Sequence, residues 1–200
     1  MKYMLARQRK RLILLSILVT AILLVSLLNT NCGKKRVVEK TQVILFSVDT
    51  LRGDHLSPYG YFRDTSPNLS KLVKDSVYYT HAYANGCWTM PSHMSLLTGT
   101  LPSRHGLNRD WTSIIKYKKY PKLNPSVKNL AEVLRDHKIH TVKFAQLPDE
   151  LGFNHGFDKN NRVDPLGNDV IFASLEKELA ENRDKNFFMF IHTWHVHAPY

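Results

Sequence analysis

The sequence predicts an α/β layered fold with a mostly parallel central sheet flanked by helices, on three observations. Val43–Val48 and Asn186–His192 are continuous apolar runs bounded by polar residues, the pattern of strands buried on both faces. Between them, segments with apolar residues at three- and four-residue spacing alternate with further strand-like runs, as in α/β units. The 200 residues, 43% hydrophobic and 22% charged, suffice for one buried core and exclude disorder, collagen and coiled coil as descriptions.

Residues 1–31 contain no acid, and Lys2, Arg7, Arg9, Lys10 and Arg11 precede the 17 uncharged residues Leu12–Leu28. A basic flank, an apolar stretch just short of the roughly 20 residues that span a bilayer, and then Leu28-Asn-Thr-Asn-Cys32 read as a bacterial export signal. It is either a lipoprotein signal, with Cys32 as the lipidated first residue, or an uncleaved signal anchor. Both place the rest of the chain outside the cytoplasm on a bacterial-type membrane, and residues 32–41 read as a polar tether.

Val43–Val48 then forms the first strand. Thr65-Ser-Pro67 opens a capped helix with proline at an early position. Val77–Tyr83 is β-branched and aromatic enough for a second strand, and Pro91–Thr98 reads as a helix ended by Gly99. Pro125–His137 places Val127, Leu130, Ala131 and Leu134 on one helical face, and Ile139–Ala145 returns to strand character. Asp169–Glu181 repeats apolar residues at Ile171, Leu175 and Leu179, ahead of the last strand, Asn186–His192.

The formal net charge of +11 invites a nucleic-acid reading. With the five leader charges set aside, 23 basic and 17 acidic residues remain, or +6, which suits an anionic substrate or surface. Export argues further against nucleic acid. Two cysteines, Cys32 and Cys87, make neither a disulfide framework nor a zinc site.

Two segments place chemistry at element ends. Asp49 follows a strand, where a carboxylate meets a hard cation or simply caps the next turn. Thr89 stands at a helix start, where free N–H groups stabilise an anion or a bound phosphoryl or sulfuryl group, or where the residue is a plain cap. In His192-Thr-Trp-His195-Val-His197, strand alternation puts His195 and His197 on one face and His192 on the other. One histidine facing an anionic substrate therefore fits better than a three-histidine zinc site.

Together, Asp49-Thr-Leu-Arg…Asp54-His-Leu-Ser…Tyr59-Gly-Tyr, Thr65-Ser-Pro-Asn-Leu, Thr89-Met-Pro-Ser-His…Leu97-Thr-Gly and Leu101-Pro-Ser-Arg-His-Gly106 closely resemble the N-terminal part of the sulfatase family, within the alkaline-phosphatase superfamily. The resemblance continues through Leu130-Ala-Glu-Val-Leu, Gly152-Phe-Asn-His-Gly-Phe-Asp158 and Phe187–Tyr200, and so covers residues 42–200. It implies an alkaline-phosphatase-like or sulfatase-like layered fold and action on an anionic ester, a sulfated or phosphorylated glycan, lipid or small molecule. Asp49 would be a divalent-metal ligand (Ca, Mg, Mn or Zn). Thr89 would occupy the nucleophile position and share the metal, and His197 would be the substrate-facing histidine.

The departures carry chemistry too. The family's nucleophile is a Cys or Ser oxidised to formylglycine; Thr89 cannot give that aldehyde, so formylglycine is not expected. A sulfated threonine has no second hydroxyl through which to eliminate sulfate, whereas a phosphorylated one can be resolved by in-line attack at phosphorus. The residues thus lean toward phosphoryl transfer. His93 replaces the motif arginine and joins Thr89 and His197 as a catalytic candidate. Thr50 replaces the second aspartate of many calcium sulfatases, and Gln146 and Pro148 stand where a sulfate-contacting lysine and histidine would be. The family's remaining metal ligands lie C-terminal to the segment at Tyr200, so the resemblance implies that 42–200 is the N-terminal portion of a catalytic domain whose last strand is an exposed edge. The alternative is a catalytically inactive, truncated sulfatase-like lipoprotein.

Overall fold

The computed structural model describes Thr20 and residues 40–108, 115–116, 121–162 and 168–197. The chain divides into two units, Met1–Glu39 and Lys40–Tyr200, and every element below belongs to the second. The apolar run Leu12–Leu28, Thr20 apart, and Cys32 lie outside the described residues, among which no helix is long and apolar enough to cross a membrane.

Four strands, β1 (Gln42–Val48), β2 (His140–Phe144), β3 (Lys159–Asn161) and β4 (Phe187–Thr193), form one sheet in the order β1-β4-β2-β3. Every neighbouring pair is parallel. The apolar runs expected as strands near 43, 140 and 187 are strands. β3, three polar residues long, offers no alternation to read. Val77–Tyr83 is not a strand: it is open chain, with Val77 85% and Tyr83 86% exposed. β-branched and aromatic residues favour a pleated, half-buried surface only where a partner strand supplies one, and here the Tyr79 carbonyl instead accepts from the Tyr59 hydroxyl at 3.0 Å.

β4 is the sheet's centre and is buried along its whole length. Its side chains alternate between two cores. Phe188 and Phe190 join Met94, Leu97, Ala131 and Phe153 on one face; Phe187, Met189 and Ile191 join Val142, Phe144, Ile171 and Leu175 on the other. The expectation that the last strand is an open edge is therefore corrected, since β4 has β1 on one side and β2 on the other. The edge is β1. Its Ile44 and Phe46 are 48% and 53% exposed, so it is not the doubly buried strand its composition suggests. The physical reason is coverage: the helix carrying Ile171 and Leu175 lies over β2 and β4 and leaves the same face of β1 open.

Among the described residues five α-helices accompany the sheet: α1 (Pro67–Leu72), α2 (Thr89–Thr98), α3 (Pro102–His105), α4 (Leu130–Asp136) and α5 (Asn168–Asn182). α2 ends at Gly99, whose φ of 63° is the left-handed conformation that closes a helix without a β-carbon penalty. Buried Met94 and Leu97 of α2 each contribute roughly 1.5–3 kcal/mol of apolar burial, enough to clamp a short helix onto β4. α4 begins at Leu130 rather than Pro125. The Asn129 side chain accepts from the Glu132 N–H at 3.0 Å and the Glu132 carboxylate accepts from the Asn129 N–H at 2.9 Å, a capping box that sets the start. Val127 is buried outside the helix.

Because all four strands run the same way, their carboxyl ends share one edge of the sheet. The Asp49 N–H donates to the Thr193 carbonyl at 2.9 Å, so the β1–β4 ladder persists one residue beyond β1 and brings the chain after each strand together.

Candidate active site

Beyond β1 the chain turns at Thr50, whose φ is 58°. A β-branched residue adopts this left-handed conformation at a cost of about 1–3 kcal/mol. The Thr50 hydroxyl donates to the Val196 carbonyl at 2.9 Å, which ties this turn to the one that follows β4.

α2 supplies the facing group. Trp88, extended, is its N-cap, and no side chain caps the helix. Thr89 is thus the first helical residue, not a cap, and its hydroxyl donates to Asp49 Oδ2 at 2.9 Å. Free N–H groups and the positive end of the helix dipole point the same way. Gly86 packs directly on this helix start: a β-carbon there would lie 2.8 Å from Pro91 Cγ and 3.2 Å from the Ser92 nitrogen.

Asp49, its side chain 10% exposed, accepts a second bond from His192 Nε2 at 3.2 Å. Trp194 Nε1–H, which can only donate, reaches His192 Nδ1 at 3.2 Å. Nδ1 is therefore an acceptor and the ring proton sits on Nε2, the neutral tautomer. Burial pushes the His192 pKa down to about 4, with His93 and His197 adding to the shift and Asp49 opposing it.

His93 lies one turn along α2 from Thr89. Its Nδ1 donates to the Thr89 carbonyl at 2.9 Å, which leaves Nε2 to accept from the Ser47 hydroxyl at 2.8 Å. Burial holds its pKa below the usual value, against the pull of the Thr89 carbonyl and the Asp49 charge. A neutral imidazole thus stands where the resemblance places an arginine. His197 stacks on Trp194, with ring centroids 5.4 Å apart. Asp49, Thr50, Cys87, Thr89, His93 and His197 line one cavity of about 300 Å³.

The structure therefore brings all four sequence-derived candidates, Asp49, Thr89, His93 and His197, to one place. It adds His192, which strand alternation had set on the opposite face from His197. The alternation does not run that far: β4 ends at Thr193 and the chain turns through 195–196, so His192 reaches the site from the strand and His197 from the turn. His195 points to the Thr193 hydroxyl and is exposed. Gln146 and Pro148 lie elsewhere, lining a separate cavity of about 200 Å³ with Glu150 and Arg162. Lys143, fully buried, is paired with Asp149 at 2.9 Å. His105 is structural: its Nδ1 accepts from the Leu107 N–H at 3.1 Å, and its Nε2 bonds the Ser95 hydroxyl at 3.0 Å.

A carboxylate and a hydroxyl are the oxygen donors a hard divalent cation takes. They are less than a coordination set, and among the described residues no group of three or more His, Cys, Asp or Glu is arranged to hold a metal ion.

The chain is thus a parallel α/β sheet flanked by helices, with Asp49, Thr89, His93 and His197 gathered beyond its carboxyl edge. Residues 41–200 match the Sulfatase family model, and the chain belongs to that family. It is 25% identical over 158 residues to an N-acetylgalactosamine-6-O-sulfatase of Bacteroides thetaiotaomicron, covering 79% of this chain and 30% of that one. It is 33% identical over 97 residues to an ulvan-active sulfatase of Formosa agariphila, covering 46% and 16%. Among solved structures, the phosphonate monoester hydrolase of Agrobacterium radiobacter superposes with a TM-score of 0.61 at 17% identity, covering 80% of this chain and 42% of that one. The C-terminal periplasmic domain of EcEptC from Escherichia coli, in complex with Zn, gives 0.59 at 15%, covering 80% and 45%. At these identities the structures speak for the fold alone. The chain spans 30% or less of the length of the curated relatives it matches.

Proposed function

We propose that residues 42–200 form the nucleophile half of a metal-dependent hydrolase or transferase of sulfate or phosphate esters, with Thr89 as nucleophile and phosphoryl transfer as the favoured chemistry. The observation that carries this reading is the Thr89 hydroxyl donating to Asp49 at 2.9 Å at the start of a helix. In the reaction, Thr89 Oγ1 bonds to phosphorus as the bond to the leaving oxygen breaks, and the hydroxyl proton leaves along its hydrogen bond toward Asp49. The N-terminus of α2 stabilises the transferred anion. His93, by holding the Thr89 carbonyl, fixes the first helical turn, and His197 faces the ester from the cavity wall. Asp49 and Thr89 are the residues of this chain that would hold a divalent cation, whose charge would lower the pKa of the hydroxyl. Water or a second alcohol then attacks phosphorus in line and returns Thr89.

Chains that share this fold include a phosphonate monoester hydrolase and the phosphoethanolamine transferase of Campylobacter jejuni, so the fold accommodates such chemistry. Relatives described as sulfatases support sulfated glycans as the other substrate class. Extracytoplasmic placement, through the leader at residues 1–31, is supported by the periplasmic domains among the neighbours. One observation favours a second reading, a non-catalytic chain: among the described residues no group of three or more His, Cys, Asp or Glu is arranged to hold a metal ion.

The test is turnover of para-nitrophenyl sulfate and bis-para-nitrophenyl phosphate by the purified chain with Mg, Ca, Mn or Zn, with mass spectrometry of the Thr89 peptide. We expect release from the phosphodiester, a phosphoryl adduct on Thr89, and loss of both in Thr89→Val. Full activity in Thr89→Val ends the nucleophile role, and no turnover with no adduct favours the second reading.

A further inference from the structure

We propose that His192 and Trp194 are positioning residues: the Trp194 indole selects the His192 tautomer, and His192 holds the Asp49 carboxylate that receives the Thr89 hydroxyl. The inference rests on the proposed function, in which Asp49 serves Thr89. Nothing in the motifs that carry the family resemblance singles out either residue for this role.

Three hydrogen bonds in series carry the argument, and each has an unambiguous direction. Trp194 Nε1–H donates to His192 Nδ1 at 3.2 Å, His192 Nε2–H donates to Asp49 Oδ2 at 3.2 Å, and Thr89 Oγ1–H donates to the same oxygen at 2.9 Å. An indole only donates and a carboxylate only accepts, so the imidazole between them has a single arrangement. Both donors meet Oδ2 from two different elements, β4 and α2, which holds that oxygen in place and leaves Oδ1 free of either bond. With Thr89 alone, Oδ2 would be held from one side.

The placement of His192 argues against a merely structural role. Its side chain is fully buried near the end of the sheet's central strand, paired in register with Ser47 of β1, and it follows Phe188 and Phe190 along one face. At such a position an aliphatic side chain packs without any polar group to satisfy. The Trp194 ring also stacks on His197 at 5.4 Å, so one side chain supports both Asp49 and the opposite cavity wall.

The test uses the full chain, uniformly labelled with nitrogen-15, and long-range proton–nitrogen spectra of its imidazoles. His192 is expected as the Nε2–H tautomer with a downfield, slowly exchanging proton. Asp49→Asn should move that proton upfield, and Trp194→Phe should leave a mixture of tautomers. In ester turnover, His192→Leu should lower kcat roughly 10- to 100-fold with little change in KM. His192→Gln, whose amide N–H stands in for Nε2–H, should restore most of it. If His192→Leu does not fold, Trp194→Phe carries the same kcat prediction. An Nδ1–H tautomer, indifference of the His192 proton to Asp49→Asn, or full kcat in a folded His192→Leu would overturn the proposal. If the parent chain turns over neither ester, the proposed function fails while the spectra still decide whether His192 holds Asp49.

Discussion

Gly86→Ala is the sharpest perturbation the site offers. A β-carbon at Gly86 would sit 2.8 Å from Pro91 Cγ, 3.0 Å from Pro91 Cβ and 3.2 Å from the Ser92 nitrogen, where ordinary contact begins at 3.4 Å. Ring pucker can move Pro91 Cγ, but Pro91 Cβ and the Ser92 nitrogen are fixed by the helix backbone, so the start of α2 must retreat by roughly 0.4 Å. Overpacking of this kind costs about 1–3 kcal/mol. For a chain of this size each kcal/mol lowers Tm by about 2–4 °C, so a central cost of about 2 kcal/mol predicts a fall of about 4–8 °C. The same retreat moves the helix start that carries Thr89, whose hydroxyl meets Asp49 at 2.9 Å, so ester turnover should fall with stability. Thermal unfolding followed by circular dichroism measures the first effect, with Gly53→Ala as control, since nothing lies within 4 Å of a β-carbon there. A Gly86→Ala chain that melts within about a degree of the parent would refute the packing argument, and with it the claim that Gly86 seats the start of α2.

Asp149→Ala should cost about 3 kcal/mol in denaturant unfolding, because it strands the fully buried Lys143 ammonium, whereas Lys143→Met should cost distinctly less. Burial alone would raise the Glu178 pKa, but hydrogen bonds from Lys159 and His140 outweigh it and hold it below the usual value. A depressed folded-state carboxyl stabilises the protein fully above its unfolded pKa of about 4.3 and loses that contribution as pH falls through the folded value. The denaturation midpoint of the parent should therefore fall more steeply below about pH 4.5 than that of Glu178→Gln; parallel acid limbs would contradict the assignment. Phe46→Thr, on the open face of β1 at 53% exposure, should cost under about 1 kcal/mol and reduce self-association in light scattering.

Strand runs, helix periods and motif spacings are local patterns along the chain, so the sequence carries the fold class, three of the four described strands and Asp49, Thr89, His93 and His197 as site candidates. It could not determine where those strands lie. β1 and β4 both carry apolar runs, yet β4 is buried on both faces and β1 is an edge strand, since burial depends on which neighbours arrive from elsewhere. Val77–Tyr83 has strand composition and no partner strand. His192 escapes the alternation rule because the strand ends at Thr193, beyond which alternation says nothing of where His197 lies. Only the tertiary structure, by closing β1 against β4 and setting α2 over their carboxyl ends, brought His192 and Trp194 behind an aspartate 143 positions earlier in the chain. Hydrogen bonds between such distant residues are made by packing, and no local pattern records them.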